Sequence, residues 1–417
     1  MPRRLLAVLA FALACAGQPA VTAAPVTPGF ATANVEFVTN IPLHIDGAGA
    51  RIVGKHLYTA DSRELTIYDI SNPELPVPLS VTPVPEVPYF AQEDLETNGK
   101  VLVLGQARDA LNPTDLMFVF DVTNKALPRL VSTLQGAASH TLTCVLDCRY
   151  VYGSNGEITD LREPASPKIV GDWSKGIKFL ESAHDLTEVS PGLVMSSSNP
   201  VVYLDARKDP ARPKVLAKGT ASDGRFHHAN LWPNGGTDRW LLVGGETGRG
   251  GCADETAGAF MTWDTAGWAK TKSFRMVDEY RPPDGLPTQG GFPTSTYCTH
   301  WFTTRPGYRN GGLVAMGWYE HGTRFLEVTK KGQIEERGWF IPAGTSASAA
   351  YWVTKDLLYL IDYNRGLDIV RFHDKPGRYR VGTPAPGGLL PTQAPFFRRA
   401  TKASFNGFCP VPVPSGA

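Results

Sequence analysis

The chain lacks any later run approaching the ~20 apolar residues that a membrane-crossing helix needs, so no segment reads as transmembrane. It lacks an excess of either charge. With 41 Lys and Arg against 40 Asp and Glu there is no field to gather nucleic acid or an anionic lipid surface. No segment carries a 3.6-residue amphipathic stripe over several turns, which argues against helix as the main element. A serine nucleophile elbow, a phosphate-binding loop and a dinucleotide fingerprint are all missing. Cysteine is scarce, six in 417 residues.

Glycine (42) and proline (34) are abundant instead, as suits many short strands joined by many turns. One phrase recurs: an apolar strand ending in Asp, followed by a turn in which proline is common. It reads Ile67-Tyr68-Asp69-Ile70-Ser71-Asn72-Pro73, Val119-Phe120-Asp121, Ile158-Thr159-Asp160 and Tyr203-Leu204-Asp205, the last followed by Asp209-Pro210. Degraded copies stand at Thr262-Trp263-Asp264 and Phe325-Leu326-Glu327. Repetition every ~40 to 60 residues marks a chain that builds one small sheet many times over. Seven strand groups rich in Val, Leu, Ile and Tyr accompany it, so the expected fold is all-β, a seven-bladed β-propeller. Asn34-Val35-Glu36-Phe37-Val38 is the candidate to close the ring by joining the last blade, which removes an exposed edge. The longest departure from the repeat lies between Glu246 and Thr299.

Residues 1–24 read as a targeting segment. Arg3 and Arg4 precede the apolar run Leu5 to Ala14, and Val21-Thr22-Ala23 is a small-x-small cleavage site. The arginine pair also fits twin-arginine export, and Cys15 fits a lipoprotein anchor. A secreted or extracytoplasmic location is the expectation. The propeller is expected over 25–383, with a Pro- and Gly-rich tail over 384–417.

Tyr68-Asp69-Ile70-Ser71-Asn72-Pro73, Gly317-Trp318-Tyr319-Glu320-His321-Gly322-Thr323-Arg324-Phe325 and Asp362-Tyr363-Asn364-Arg365-Gly366-Leu367-Asp368-Ile369 resemble bacterial LVIVD-repeat proteins. The resemblance covers about residues 40 to 375 and implies an extracytoplasmic β-propeller. It carries over no catalytic residue, and the Asp phrase decays in the fifth and sixth units.

A second series rides on the repeat. His140-Thr141-Leu142-Thr143, His184-Asp185-Leu186-Thr187 and His300-Trp301-Phe302-Thr303 share the form His, any residue, large apolar, Thr. His228-Ala229-Asn230-Leu231 is a looser copy, with His227 as its alternative. His140, His184 and His228 follow at 44-residue intervals, and His300 comes after 72. Each begins the innermost strand of its blade, and in a propeller those starts converge on one end of the central channel. Imidazoles gathered there suit a divalent transition metal such as Zn, Cu, Fe or Mn. At the matching places the first two blades offer Asp46, with His44 nearby, and Glu93, beside Asp94. Glu93 is the candidate general base. The plainer reading is that each His hydrogen-bonds a neighbouring blade, since a repeat copies structural residues as readily as ligands. Glu246, Asp254 and Glu255 in the departing segment are candidates for calcium or substrate, or simply solvated acids.

Cys144 and Cys148 flank a short turn and are placed to close across it. Cys252 and Cys298 bracket the departing segment and are expected to be joined, a bridge that would remove ~3 to 4 kcal/mol of loop entropy from the unfolded chain. Cys298 is also a candidate thiolate ligand, two residues before His300; Cys409 is left over. Two functions follow. One is a secreted metalloenzyme, an oxidoreductase or a lyase or hydrolase, acting on a small molecule or extracellular polymer. The other is a non-catalytic propeller that binds cell-surface material or another protein.

Overall fold

The computed structural model describes residues 31–42, 49–61, 63–85, 95–106, 115–137, 139–178, 180, 183–219, 226–247, 258–282, 299–342 and 344–377; the side chains of 106, 226–228 and 247 fall outside that description. The expected targeting segment of residues 1–24, the tail beyond 377, and His44, Asp46, Glu93, Asp94, Cys252, Asp254, Glu255, Cys298 and Cys409 therefore lie outside the described residues.

Every sheet is built from an antiparallel meander of four strands. The first unit runs Ala50–Val53, His56–Ala60, Glu64–Asp69 and Val77–Pro83. The second is Leu95–Thr97, Val101–Gln106, Leu116–Asp121 and Arg129–Gln135, and the third Leu142–Val145, Tyr150–Gly153, Glu157–Asp160 and Lys168–Asp172. The fourth begins at Asp185–Ser190 and the fifth at Phe226–Leu231. These two join into one eight-stranded sheet through a short parallel contact of Lys218 and Gly219 with Ser273 and Phe274. The sixth begins at Phe302–Thr304. The last unit takes Ala347–Trp352, Leu357–Asp362 and Gly366–Phe372 and is completed by Val35–Ile41, the first strand of the chain, paired antiparallel with Gly366–Phe372. Among the described residues helix is confined to two single turns, Pro233–Gly236 and Trp268–Thr271.

The recurring Asp has a local cause. It sits at the end of the third strand, and its carboxylate accepts the backbone N–H two residues on. Ser71 donates to Asp69 at 2.7 Å, Thr123 to Asp121 at 2.9 Å, Arg162 to Asp160 and Arg207 to Asp205 at 3.1 Å, and Ala266 to Asp264 at 2.9 Å. Such an Asx-turn bends the chain out of the strand without a glycine. Third and fourth strands also share a register shift at one place, between Ile67 and Tyr68, Val119 and Phe120, Ile158 and Thr159, and Tyr203 and Leu204. A bulge raises the local twist, so each meander leaves its outer strand at a similar angle.

The departure from the repeat is narrower than the sequence suggests. Ala259–Asp264 and Ser273–Tyr280 are the third and fourth strands of the fifth unit. The degraded Asp phrase at Asp264 was the surviving signal of that unit.

Apolar side chains pack in wedges between neighbouring sheets. Tyr58, Leu65 and Ile67 meet Leu102, Leu104 and Phe120 between the first and second units. Val145, Tyr152 and Ile158 meet Leu186, Val194 and Val202 between the third and fourth. Leu57, Tyr68 and Ile70 of the first unit share a cluster with Leu357, Tyr359 and Ile361 of the last, and two polar bonds add to this closure: the Ala50 N–H donates to the Tyr351 hydroxyl at 3.1 Å, and Tyr359 donates to the Pro73 carbonyl at 2.8 Å.

Candidate functional site at the axial end

One cavity of about 420 Å³ is lined from the first strand of every unit, by Arg51, Glu96, Thr143, Asp185, Asn230, Phe302 and Tyr351, with Trp301 just before the sixth. The first strands therefore surround a common axis. The phrase that marks three of them explains how they are held. The hydroxyls of Thr143, Thr187 and Thr303 donate to the carbonyls of Leu186, Asn230 and Ala350, each on the first strand of the next unit, at 2.8, 2.9 and 2.8 Å. The Thr of the phrase is thus a clip between neighbours, and the His stands three residues before it, at the strand's entry.

His140, His184 and His300 come together there. The His140 and His184 rings meet edge to face at 4.7 Å between centroids, and His184 and His300 at 6.3 Å. His300 is fully buried. Its Nδ1 lies 2.9 Å from the Ser348 carbonyl oxygen, whose only possible role is acceptor, so Nδ1 carries the proton and Nε2 faces the Tyr363 hydroxyl at 3.5 Å. The side chain of His228 and the whole of Glu93 lie outside the described residues.

Three further residues belong to this end, Glu246, Tyr319 and Tyr363, none of them named by the histidine series. Glu246, fully buried near the end of the strand Trp240–Thr247, brings Oε2 to 3.5 Å from His184 Nε2. Tyr319 donates to Glu246 Oε1 at 3.5 Å, and its ring stacks on Tyr363 at 5.8 Å and 9°. Tyr319 has a positive φ of 38° and is held by paired backbone bonds with Ala347. The sequence treated Glu246 as a loop acid; its only local mark is the Gly244-Gly245 pair before it. Among the described residues no group of three or more His, Cys, Asp or Glu side chains is arranged to hold a metal ion.

Immediately inside the histidines lies Asp185. It is buried, accepts the Trp301 indole N–H at 3.1 Å and the Leu186 N–H at 2.7 Å, and burial pushes its pKa up to about 7 against the pull of Arg51. Arg51 itself is bound to Glu96 at 2.6 Å across the first and second units. Other sequence candidates are accounted for elsewhere. His373 pairs with Glu36 at 3.0 Å, His321 is buried in a turn where its carbonyl accepts Arg324 Nε, and Cys144 and Cys148 are joined as a disulfide.

No family model matches the chain, and no curated protein matches it. Solved structures do. The structure of U3-55K aligns with a TM-score of 0.52 and that of the RRP9 WD40 repeats with 0.51, each at 11% identity, covering 84% of this chain and 100% of the other. At that identity the likeness speaks for fold alone. The chain is an all-β protein of the β-propeller type.

Proposed function

We propose that this chain is a non-catalytic binding propeller, a rigid interaction module of seven blades. The blade count is supported by the meanders, which number seven when the eight-stranded sheet is read as two. The observation that carries the interaction reading is a surface one. Among the described residues, the exposed large apolar side chains all fall on three consecutive units: Leu75, Val77, Leu79 and Val81 on the first, Leu127 and Leu130 on the second, Ile169 and Val170 on the third. Scattered apolar residues are normal on a surface, but a contiguous group marks a contact site. An extracytoplasmic location, read from residues 1–24, and membership of the LVIVD-repeat proteins belong to the same proposal.

A second reading is favoured by the convergence of His140, His184 and His300. With His228 as the fourth ligand and Glu93 as general base they would hold a divalent transition metal, which supplies Lewis acidity or redox chemistry. Glu246 would add a carboxylate beside His184. Elemental analysis of protein recovered from its natural compartment decides between the two. The binding reading expects no stoichiometric metal. One mole of transition metal per chain, lost in His184→Ala, would overturn it in favour of the metal centre.

A further inference from the structure

We infer that the apolar stripe on the outer strands of the first three units is the contact surface for a second copy of this chain. The inference rests on the interaction reading and names its partner. Continuity of the stripe is fixed by two bonds between units: Ser80 donates to the Lys125 carbonyl at 2.7 Å, and Ser132 to the Pro164 carbonyl at 2.6 Å. Each outer strand is thereby tied to the turn that leads into the next one.

Area argues for a stable partner. The exposed parts of these side chains amount to roughly 700 Å², above the ~300 to 600 Å² of the largest apolar patch on a typical monomer and close to the ~800 Å² each side contributes to a standard interface. Charge argues that the partner is a copy. Several charged groups beside the stripe are already engaged: Arg129 with Asp121 at 2.7 Å, Arg162 with Asp160 at 2.5 Å, and Glu74 with Arg371 of the last unit. Lys168 stands opposite Asp160 in the strand register. Both signs of charge stand beside the stripe, so it offers no one-signed field to select an oppositely charged partner.

Its layout suits a twofold axis. The second unit lies between the other two, so an axis through Leu130 sets Val77 and Val81 of one copy against Ile169 and Val170 of the other, an isologous contact. Pro78 and Pro83 lie within the first unit's outer strand and remove donors from that edge. Contact is therefore by side chains and not by extending one sheet into the next.

Sedimentation velocity of the full chain over a wide concentration range tests this. A species of twice the chain mass is expected, and Leu130→Asp combined with Ile169→Asp should return the monomer with an unchanged circular dichroism spectrum, since both positions are exposed. A Leu130→Cys variant, close to the axis, should crosslink to its own copy under oxidation. A monomer at every concentration overturns the inference. So does a dimer that survives the double substitution, or a full chain that dimerises only after residues 378–417 are removed, which would assign the stripe to the chain's own tail. The first two outcomes leave the interaction reading standing with a different partner, whereas the third removes the observation that carries it.

Discussion

Asp185→Asn should reverse sign between mildly acidic and mildly basic solution. The folded protein holds this carboxyl's proton up to about pH 7, whereas an ordinary Asp releases it near 3.8. The native state then binds a proton that the unfolded chain has lost. Asp185 therefore contributes full stability below about pH 4, loses it as pH rises toward 7, and contributes no further change beyond. At 1.36 kcal/mol per pH unit the whole loss is about 4 kcal/mol as an upper bound, and water in the adjoining cavity reduces it. Asn keeps an oxygen to accept the Trp301 and Leu186 N–H groups and carries no charge to desolvate. The variant should match the parent or fall slightly below it at pH 5 and exceed it by a few kcal/mol at pH 8. Guanidinium unfolding at both pH values, with the slope held equal, measures this. Asp362, also raised by burial, to about 6, shifts both proteins alike, so the difference between them isolates Asp185. A gap between the two proteins that stays constant from pH 5 to 8 would refute the reasoning.

Thr143→Val keeps shape but removes the hydroxyl that clips the third unit to the fourth; a loss of about 1 kcal/mol in the same unfolding assay is expected, with the fold unchanged. Arg365→Met strands the buried Asp368 carboxylate, which Arg365 binds at 2.7 Å, and should cost about 3 to 5 kcal/mol, with part regained in Arg365→Met combined with Asp368→Asn. At Gly322, where φ is +68°, an added Cβ would stand 2.2 Å from the Phe340 carbonyl oxygen, so Gly322→Ala should cost more than about 2 kcal/mol and lower the thermal midpoint.

The repeat was readable because its cause is local. Asp121 meets the N–H of Thr123, two residues away, and any chain that makes the same turn must spell the same phrase. Ring closure by Val35–Ile41 was readable too, since a strand left over at the start has one vacant edge to fill. The histidine phrase conveyed spacing, and regular spacing on a repeated unit places side chains at one level. Its Thr was the part with the clearer structural duty, which the phrase did not disclose.

Tertiary structure alone decided what stands around those histidines. Glu246 reaches His184 from the next unit, Tyr319 meets His300 from the following hairpin of the same unit, and Tyr363 meets it from the last unit. Tyr319 and Tyr363 hold corresponding places, between the second and third strands of the last two units, but Glu246 has no counterpart in the phrase and no periodicity points to it. The same limit applied to the outer strands. Val77, Leu79 and Val81 alternate as a half-buried strand should, and composition alone would place them in the core. They are exposed because the fourth strand ends its sheet, and whether an end strand is covered depends on what packs over it, not on its own pattern. The sequence by itself determined the unit and its repetition, through contacts a few residues long. The arrangement of units around an axis determined which side chains share a site and which face solvent, because those contacts join residues from different blades.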